Sequence, residues 1–353
     1  MIAAMDIPVT KASRSKLADT DMNNLPFGKY FTDHMLVAEY VNGAWKQPTI
    51  VPYQPVQVDP ANAAIHYGQS IFEGIKAYRN EAGDAYIFRP YDNFRRFNNS
   101  AKRLCMPEVP EEIFIEGMRQ LISLEKEWIP AKKDHSLYIR PFMFAADNTI
   151  GVKPSDRYLF MIILSPTGPY YAAPMRIYVE DKYTRACPGG IGFAKAAGNY
   201  ATSLLAATEA KAKGYDQVLW TDAFEHKYVQ EVGTMNVFFQ IGDTLVTPPL
   251  DGSILAGVTR DSVITVLRDL GYKVEERALN IDEIATAYKN GQLKEVFGTG
   301  TAATISKIRE LCYKDMIMEF DTDSWTTSPA VAARLNDIRE GKAEDRHGWM
   351  FRV

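Results

Sequence analysis

Residues 189–200 read Gly-Gly-Ile-Gly-Phe-Ala-Lys-Ala-Ala-Gly-Asn-Tyr and set one lysine, Lys195, among glycines and alanines at the start of a helical stretch. Most lysines stand on solvated faces, but an amine boxed in by small side chains admits a flat molecule to close range. The chemistry of such an amine would be that of a covalent anchor. Glu231 lies in Tyr228-Val229-Gln230-Glu231-Val232-Gly233, and a carboxylate on a strand of that mixed pattern is expected to face solvent. Arg96, within Phe94-Arg95-Arg96-Phe97, reads alone as a surface charge on a helix, and Phe27, Tyr67 and Phe72 read by default as core.

Two stretches suit a phosphate. At Gly257-Val258-Thr259 a helix begins, so unpaired backbone N–H groups and the positive end of the helix dipole favour an anion, and the Thr259 hydroxyl adds a donor. At Gly298-Thr299-Gly300-Thr301 the glycines permit a nest of amides, with Thr301 a further donor. Neither stretch has the Gly-Lys-Ser or Gly-Lys-Thr ending of a P-loop or the dinucleotide pattern GxGxxG. A lysine able to form a Schiff base, a carboxylate able to pair with a pyridinium nitrogen, a phenol and two phosphate cradles are the parts that a pyridoxal phosphate site requires.

The elements that must position these residues follow from periodicity and turn chemistry. Strand-like residues 35–41 lead through Asn42-Gly43, a two-residue hairpin turn, into Ala44-Trp45-Lys46. A second hairpin joins 75–79 to 85–89, helices are expected over 91–104 and 111–127, and strands over 138–144 and 158–164. This first half is an antiparallel sheet with helices, an α+β domain. Residues 165–174 hold three prolines and a glycine and make the best linker.

The second half is expected to carry strands over 217–221, 227–232 and 236–241, and helices from 257, over 281–289, and from Ser328 as N-cap with Pro329 at the first helical position. Glu209 and Lys213 form an expected i,i+4 pair.

Composition limits the partners. With 353 residues, 46% of them hydrophobic, the chain suits two domains, and 40 basic against 44 acidic residues give no basic run for nucleic acid or anionic lipid. Cys105, Cys187 and Cys312 lie far apart, which fits a reducing, cytoplasmic compartment and argues against a disulfide framework or a cysteine zinc site. No metal is expected. The first twenty residues lack an apolar core segment and read as a loose terminal arm.

Lys-x-x-Gly-Asn-Tyr at 195–200, Glu-Val-Gly-Thr-Met-Asn at 231–236, Gly-Val-Thr-Arg at 257–260 and Gly-Thr-Gly-Thr-Ala at 298–302 resemble the fold-type IV pyridoxal phosphate enzymes, most closely the branched-chain-amino-acid aminotransferases. The likeness extends through Phe-Gly-Lys-Tyr-Phe-Thr-Asp-His-Met at 27–35, His-Tyr-Gly-Gln-Ser-Ile-Phe-Glu-Gly at 66–74, Ser-Ala-Lys at 100–102 and Tyr-Ile-Arg-Pro at 138–141, nearly the whole chain in order.

This resemblance implies an α/β (α+β) two-domain fold: a smaller N-terminal α+β domain over 1–168, an inter-domain loop over 169–178 and a larger cofactor-binding domain with a pseudo-barrel over 179–353. Lys195 would anchor pyridoxal 5'-phosphate covalently and move the proton between substrate and cofactor. Glu231 would keep the ring nitrogen protonated, Tyr200 would bond the phenolic oxygen, and Leu255 would pack on the ring. The phosphate would meet Arg96, Val258, Thr259 and Thr301.

The substrate carboxylate would meet amides near Thr301 and Ala302. Phe27, Tyr67, Phe72 and Tyr138 would form the apolar pocket, and Arg140 would accept the distal carboxylate of glutamate. Ile150 and Val152 would come from a neighbouring subunit, implying a homodimer with shared sites, and Tyr170 would lie in the loop that covers the substrate. The implied reaction is reversible amino transfer from leucine, isoleucine or valine to 2-oxoglutarate.

Two departures are visible. Ala197 replaces the first of two family glycines before Asn-Tyr, and Ala303 and Ser306 stand where some members carry a Cys-x-x-Cys. D-amino acid aminotransferase and aminodeoxychorismate lyase share the lysine and phosphate motifs and remain alternatives. So does a non-catalytic protein binding a phosphorylated ligand at Gly298 to Thr301, which leaves Lys195 and Glu231 without a role.

Overall fold

The computed structural model describes residues 5–169 and 173–353 and separates into two compact units. The first contains residues 5–169 together with Ala194–Ala197 and Asp337–Val353. Its strands are β1 (His34–Val41), β2 (Ala44–Trp45), β3 (Thr49–Pro52), β4 (Ser70–Phe72), β5 (Ile75–Arg79), β6 (Ala85–Phe88), β7 (Ser136–Ala145) and β8 (Arg157–Thr167). They form an open sheet in the order β6-β5-β7-β8-β1-β2, extended beyond β6 by the C-terminal strand Met350–Arg352, with β3 on β1 and β4 on β7. The β1–β2 turn is the expected one: Asn42 and Gly43 both have positive φ, 54° and 79°, the conformation that matches strand twist.

Three helices serve this sheet: α1 (Ala63–Tyr67), α2 (Pro90–Arg103) and α3 (Gly117–Leu124). Pro90 at the first position of α2 loses no intrahelical bond. The expected helix over 111–127 is broken into a π-helical turn, Glu112–Glu116, then α3, then a 3-10 turn, Lys126–Trp128. Phe97 of α2, Phe114 of the π turn and Phe160 of β8 meet at centroid distances of 5.4–5.7 Å and centre the core. The N-terminal arm is not loose: Ile7 is buried, Val9 bridges Ile50, and the Ala12 N–H donates to His34 Nε2.

The second unit contains residues 173–193 and Gly198–Asn336. Its strands are β9 (Met175–Val179), β10 (Gln217–Thr221), β11 (Val229–Val232), β12 (Met235–Ile241), β13 (Thr244–Thr247), β14 (Lys273–Glu276), β15 (Leu293–Gly300), β16 (Thr304–Tyr313) and β17 (Met316–Glu319). The order β11-β10-β9-β16-β15-β12 returns to β11 by a β11–β12 pairing, so six strands close into a ring. This is the expected pseudo-barrel, and closure removes the exposed edges of those strands. Gly233 turns β11 into β12 at φ 56°. The helices are α4 (Ala197–Ala201), α5 (Leu204–Ala212), α6 (Val258–Asp269), α7 (Ile281–Lys289) and α8 (Thr327–Arg339).

Several expected boundaries differ. Ser165–Thr167 complete β8, so strand pairing claims the start of the proline-rich stretch, and β9 takes Met175–Tyr178 of the expected 169–178 loop. Residues 337–353 join the first unit because the C-terminal strand pairs with β6. Ser328 does not cap α8, which begins at Thr327: the buried Glu295 carboxylate accepts the N–H groups of Thr326, Thr327 and Ser328 at 2.7–2.8 Å. Glu209 accepts from the Tyr183 hydroxyl and Lys213 lies 4.0 Å from the Tyr178 ring centroid, so the expected pair acts through charge attraction and not through a direct salt bridge. No helix among the described residues is long and apolar enough to cross a membrane.

Candidate active site

Lys195 belongs by its contacts to the first unit. Its N–H donates to Ser100 Oγ of α2 at 2.9 Å, its carbonyl accepts the Phe72 N–H of β4 at 3.1 Å, and Ala196 forms an antiparallel bridge with Ile71. The segment is thus a short addition to β4, with the half-buried Lys195 amine 4.9 Å from the centroid of the Phe72 ring. A cation over an aromatic face is stabilised there while staying able to leave.

Phe72 also carries Arg140, whose guanidinium carbon is 4.5 Å from the same centroid. Arg140 donates to the Tyr138 hydroxyl at 3.0 Å, and Tyr138 meets Phe27 edge-on at 4.8 Å. Gly74 makes this arrangement possible, because a Cβ there would lie 2.2 Å from the Tyr138 hydroxyl. Arg140 Nε is buried without a hydrogen-bond partner, a donor suited to a carboxylate. Phe27, Phe72, Tyr138 and Arg140 are therefore brought together. Tyr67 ends α1 exposed beside His66, and Ile150 and Val152 stand 68% and 89% exposed on the loop between β7 and β8.

Arg96 is not the surface charge that its helix suggested. It is buried, and its Nε and Nη2 each reach a Glu73 carboxylate oxygen at 2.7 Å. Glu73 is wholly buried, and its N–H donates to the Pro141 carbonyl at 2.7 Å. The two-point pairing fixes the plane of the guanidinium.

Glu231, on β11 of the second unit, is buried rather than solvent-facing. One carboxylate oxygen accepts the Leu255 N–H at 2.9 Å and Asn236 Nδ2 at 3.4 Å; the other lies 3.4 Å from Arg185 Nε. Asn236 also donates to the Leu255 carbonyl at 2.9 Å, so both sides of the Leu255 backbone are tied to this group while its side chain stays partly open. Arg185 was not foreseen. Its partner lies far along the chain, and the only signal available was that a buried carboxylate demands a donor.

The two expected phosphate stretches differ in kind. Gly257 precedes α6, whose first turn receives no side-chain cap, and a Cβ at Gly257 would lie 2.0 Å from Asn236 Oδ1. Val258 and Thr259 are buried at this N-terminus. Gly298 and Gly300 form no nest: both lie in β15, and added Cβ atoms would press on Met235 at 2.8 and 3.2 Å. The turn begins at Thr301, and Ala302 lies within it. Beside it, the Thr299 and Ser306 hydroxyls are buried without partners, two donors to which the sequence pattern assigned no role. Tyr200 sits in α4, one residue after Asn199, whose side chain holds the Ile191 carbonyl at 2.9 Å. Tyr170 lies outside the described residues. Among the described residues no cluster of three or more His, Cys, Asp or Glu could hold a metal.

An uncapped helix start behind a glycine that cannot bear a side chain, with orphaned buried hydroxyls on β15 and β16, has the donor set of a phosphate site. A buried carboxylate fixed from three directions has that of a partner for a basic ring nitrogen. The residues present fit pyridoxal phosphate.

Residues 70–311 match the family model for amino-transferase class IV. The chain belongs to this family. Class IV aminotransferases depend on pyridoxal phosphate. A probable branched-chain-amino-acid aminotransferase of Staphylococcus epidermidis is 50% identical over 339 residues, covering 94% of each chain. Among solved structures, the branched-chain aminotransferase of Thermoproteus uzoniensis with norvaline aligns with TM-score 0.74 at 28% identity, covering 90% of this chain and 99% of that one. The branched-chain amino acid aminotransferase from Escherichia coli aligns with TM-score 0.72 at 28% identity, covering 90% and 98%. This class IV enzyme is a branched-chain aminotransferase by its relatives and its fold.

Proposed function

We propose that the enzyme transfers the amino group of L-leucine, L-isoleucine or L-valine reversibly to 2-oxoglutarate in two half-reactions, in branched-chain amino acid synthesis or breakdown. Its setting in this reading is the cytoplasm, as a homodimer. The observation that carries the proposal is the cluster of Phe27, Phe72 and Tyr138 around Arg140: aromatic surface for a branched side chain, with a buried guanidinium donor awaiting an acid group. One pocket then serves two substrates, since an aliphatic side chain packs on the rings and glutamate offers its distal carboxylate to Arg140.

Pyridoxal phosphate, when bound, supplies an aldehyde for the amine and a ring that withdraws electrons. Lys195 provides the anchoring amine and carries the proton removed from the substrate α carbon. Glu231, held by Leu255 and Asn236, would present its carboxylate to the ring nitrogen and favour its protonated form. Tyr200 would donate to the phenolic oxygen, and Leu255 would cover the ring. Arg96, the Val258 and Thr259 end of α6, and Thr301 are the residues that would hold the phosphate, and the backbone at Thr301 and Ala302 would receive the substrate carboxylate. Tyr67 would complete the substrate enclosure. Ile150 and Val152 would cover the site of a partner subunit, and apolar side chains so exposed on one loop support that reading.

Loaded enzyme should be yellow and lose that absorbance on addition of L-leucine alone, with 2-oxoglutarate restoring it. Initial rates with leucine, isoleucine, valine and glutamate then rank the substrates. A protein inert to all three branched-chain L-amino acids but bleached by D-alanine would overturn the proposal.

A further inference from the structure

Ser100 belongs to a tripeptide, Ser100-Ala101-Lys102, for which the reaction proposed above has no use. It is 1% exposed, on the buried side of α2, one turn after Arg96. Its hydroxyl donates to the Arg96 carbonyl at 3.0 Å and accepts the Lys195 N–H at 2.9 Å. A serine bonded back to the preceding turn has its hydroxyl hydrogen committed, which turns its lone pairs outward as a fixed acceptor. On the other side of the same residue, the Lys195 carbonyl is held by the Phe72 N–H at 3.1 Å, and the next residue bridges Ile71. The Lys195 backbone is therefore gripped at both its polar atoms, by a helix and by a strand.

We propose that Ser100 is a positioning residue for Lys195, setting the direction in which the lysine side chain leaves the backbone and hence the approach of its amine to an aldehyde. The inference rests on the reading of Lys195 as the covalent anchor. A lysine side chain has four rotatable bonds, so an error in the backbone direction at Cα is carried to Nζ and enlarged. Without the Ser100 acceptor, the Lys195 peptide loses its hold on the helix and can rotate about the strand contact. The bond-forming step that this direction governs is addition of Nζ to the aldehyde carbon, with the carbonyl oxygen leaving as water; no electrons are exchanged with a third party.

The test separates covalent capture from non-covalent binding on the full-length chain stripped of cofactor. Pyridoxal phosphate is added, the carbon–nitrogen double bond is fixed with borohydride at timed intervals, and the adduct is measured by mass spectrometry. Pyridoxamine phosphate, which has no aldehyde, reports binding alone. Ser100→Ala should capture pyridoxal phosphate about 10- to 100-fold more slowly, the order of effect expected from a displacement near 1 Å. It should bind pyridoxamine phosphate as the unaltered protein does, and Ser100→Thr, which keeps the hydroxyl, should recover the rate. Capture by Ser100→Ala at the normal rate overturns the proposal, as does a loss of capture and pyridoxamine phosphate binding in equal proportion. So does a threonine variant as slow as alanine. An adduct that forms equally fast in Lys195→Ala overturns the anchor reading itself, whereas normal capture by Ser100→Ala with none by Lys195→Ala overturns only the role of Ser100.

Discussion

Lys195 and Glu231 are held by opposite means. In the first unit the lysine is fixed by its backbone, to Ser100 and Phe72, and its charged end rests on an aromatic face. In the second, the glutamate, on a strand of a closed six-strand ring, is fixed by its charged end, which a backbone N–H, an amide and an arginine address. In the proposed reaction the difference follows from what each group would do. An anchoring amine has to detach and swing, so its hold belongs at the root of the side chain. A carboxylate that sets the charge of a ring nitrogen should not move, so its hold belongs at the tip.

The largest effects should expose this contrast. Lys195→Ala removes the proposed anchor and proton carrier and should lower turnover by at least about 10⁴-fold in single-turnover assays with leucine. Glu231→Gln preserves an acceptor for the Leu255 N–H but removes the charge, and should cost about 10²- to 10³-fold. Its bound cofactor should keep the covalent link to Lys195. Equal losses in the two variants would break the comparison, because the carboxylate would then be more than an electrostatic partner.

How much of this was legible depended on the sequence distance over which each residue is determined. The Asn42-Gly43 turn and the start of α6 at Gly257 and Val258 are local events determined within a few positions, and each reads directly from the chain. Glu231 and Arg96 were assigned exposed positions because strand and helix periodicity alone carry no information about Arg185 or Glu73. The glycines at 298 and 300 invited a nest, but their reason is Met235 on the neighbouring strand β12. Resemblance to a family supplied the residues; it did not supply the partners that hold them.

A third contrast concerns pH. In the first unit, burial together with the nearby Arg339 pushes the Lys76 ammonium down to about 7, against the pull of Asp134. In the second, burial would raise Asp222, but backbone N–H groups of Phe224, Glu225, Lys227 and Tyr228 outweigh it and hold the carboxyl at about 2. The signs are opposite. Folded Lys76 releases its proton near pH 7 while the unfolded chain retains it to its ordinary value of 10.5, so this group makes stability rise as pH increases across that window. The Asp222 contribution is present above its ordinary value of 3.8 and is lost as pH falls towards 2. Lys76→Met should therefore flatten the alkaline rise, whose slope from one group has a ceiling of about 1.4 kcal/mol per pH unit. Urea midpoints of both proteins at pH 6.5, 8 and 9.5 measure it, and parallel curves would remove Lys76 as the cause.

The smallest effects distinguish a distant partner from a local one at the start of α8. Glu295 reaches from β15 to accept three consecutive N–H groups, and a carboxylate there also faces the positive end of the helix. Glu295→Gln leaves one acceptor oxygen and places an amide donor against N–H groups, so it should lower stability by about 1–3 kcal/mol. Turnover at temperatures well below the transition should stay unchanged. Ser328, the residue that local pattern nominates as the cap, donates its own N–H to Glu295, and its hydroxyl is buried without a partner. Ser328→Ala removes an unsatisfied polar atom and no cap, so it should fall within about 0.5 kcal/mol of neutral, whereas a lost serine cap costs about 1 kcal/mol. Denaturant midpoints of the two variants side by side decide between them. If alanine at 328 costs as much as glutamine at 295, the cap is local after all and the reach of Glu295 is incidental.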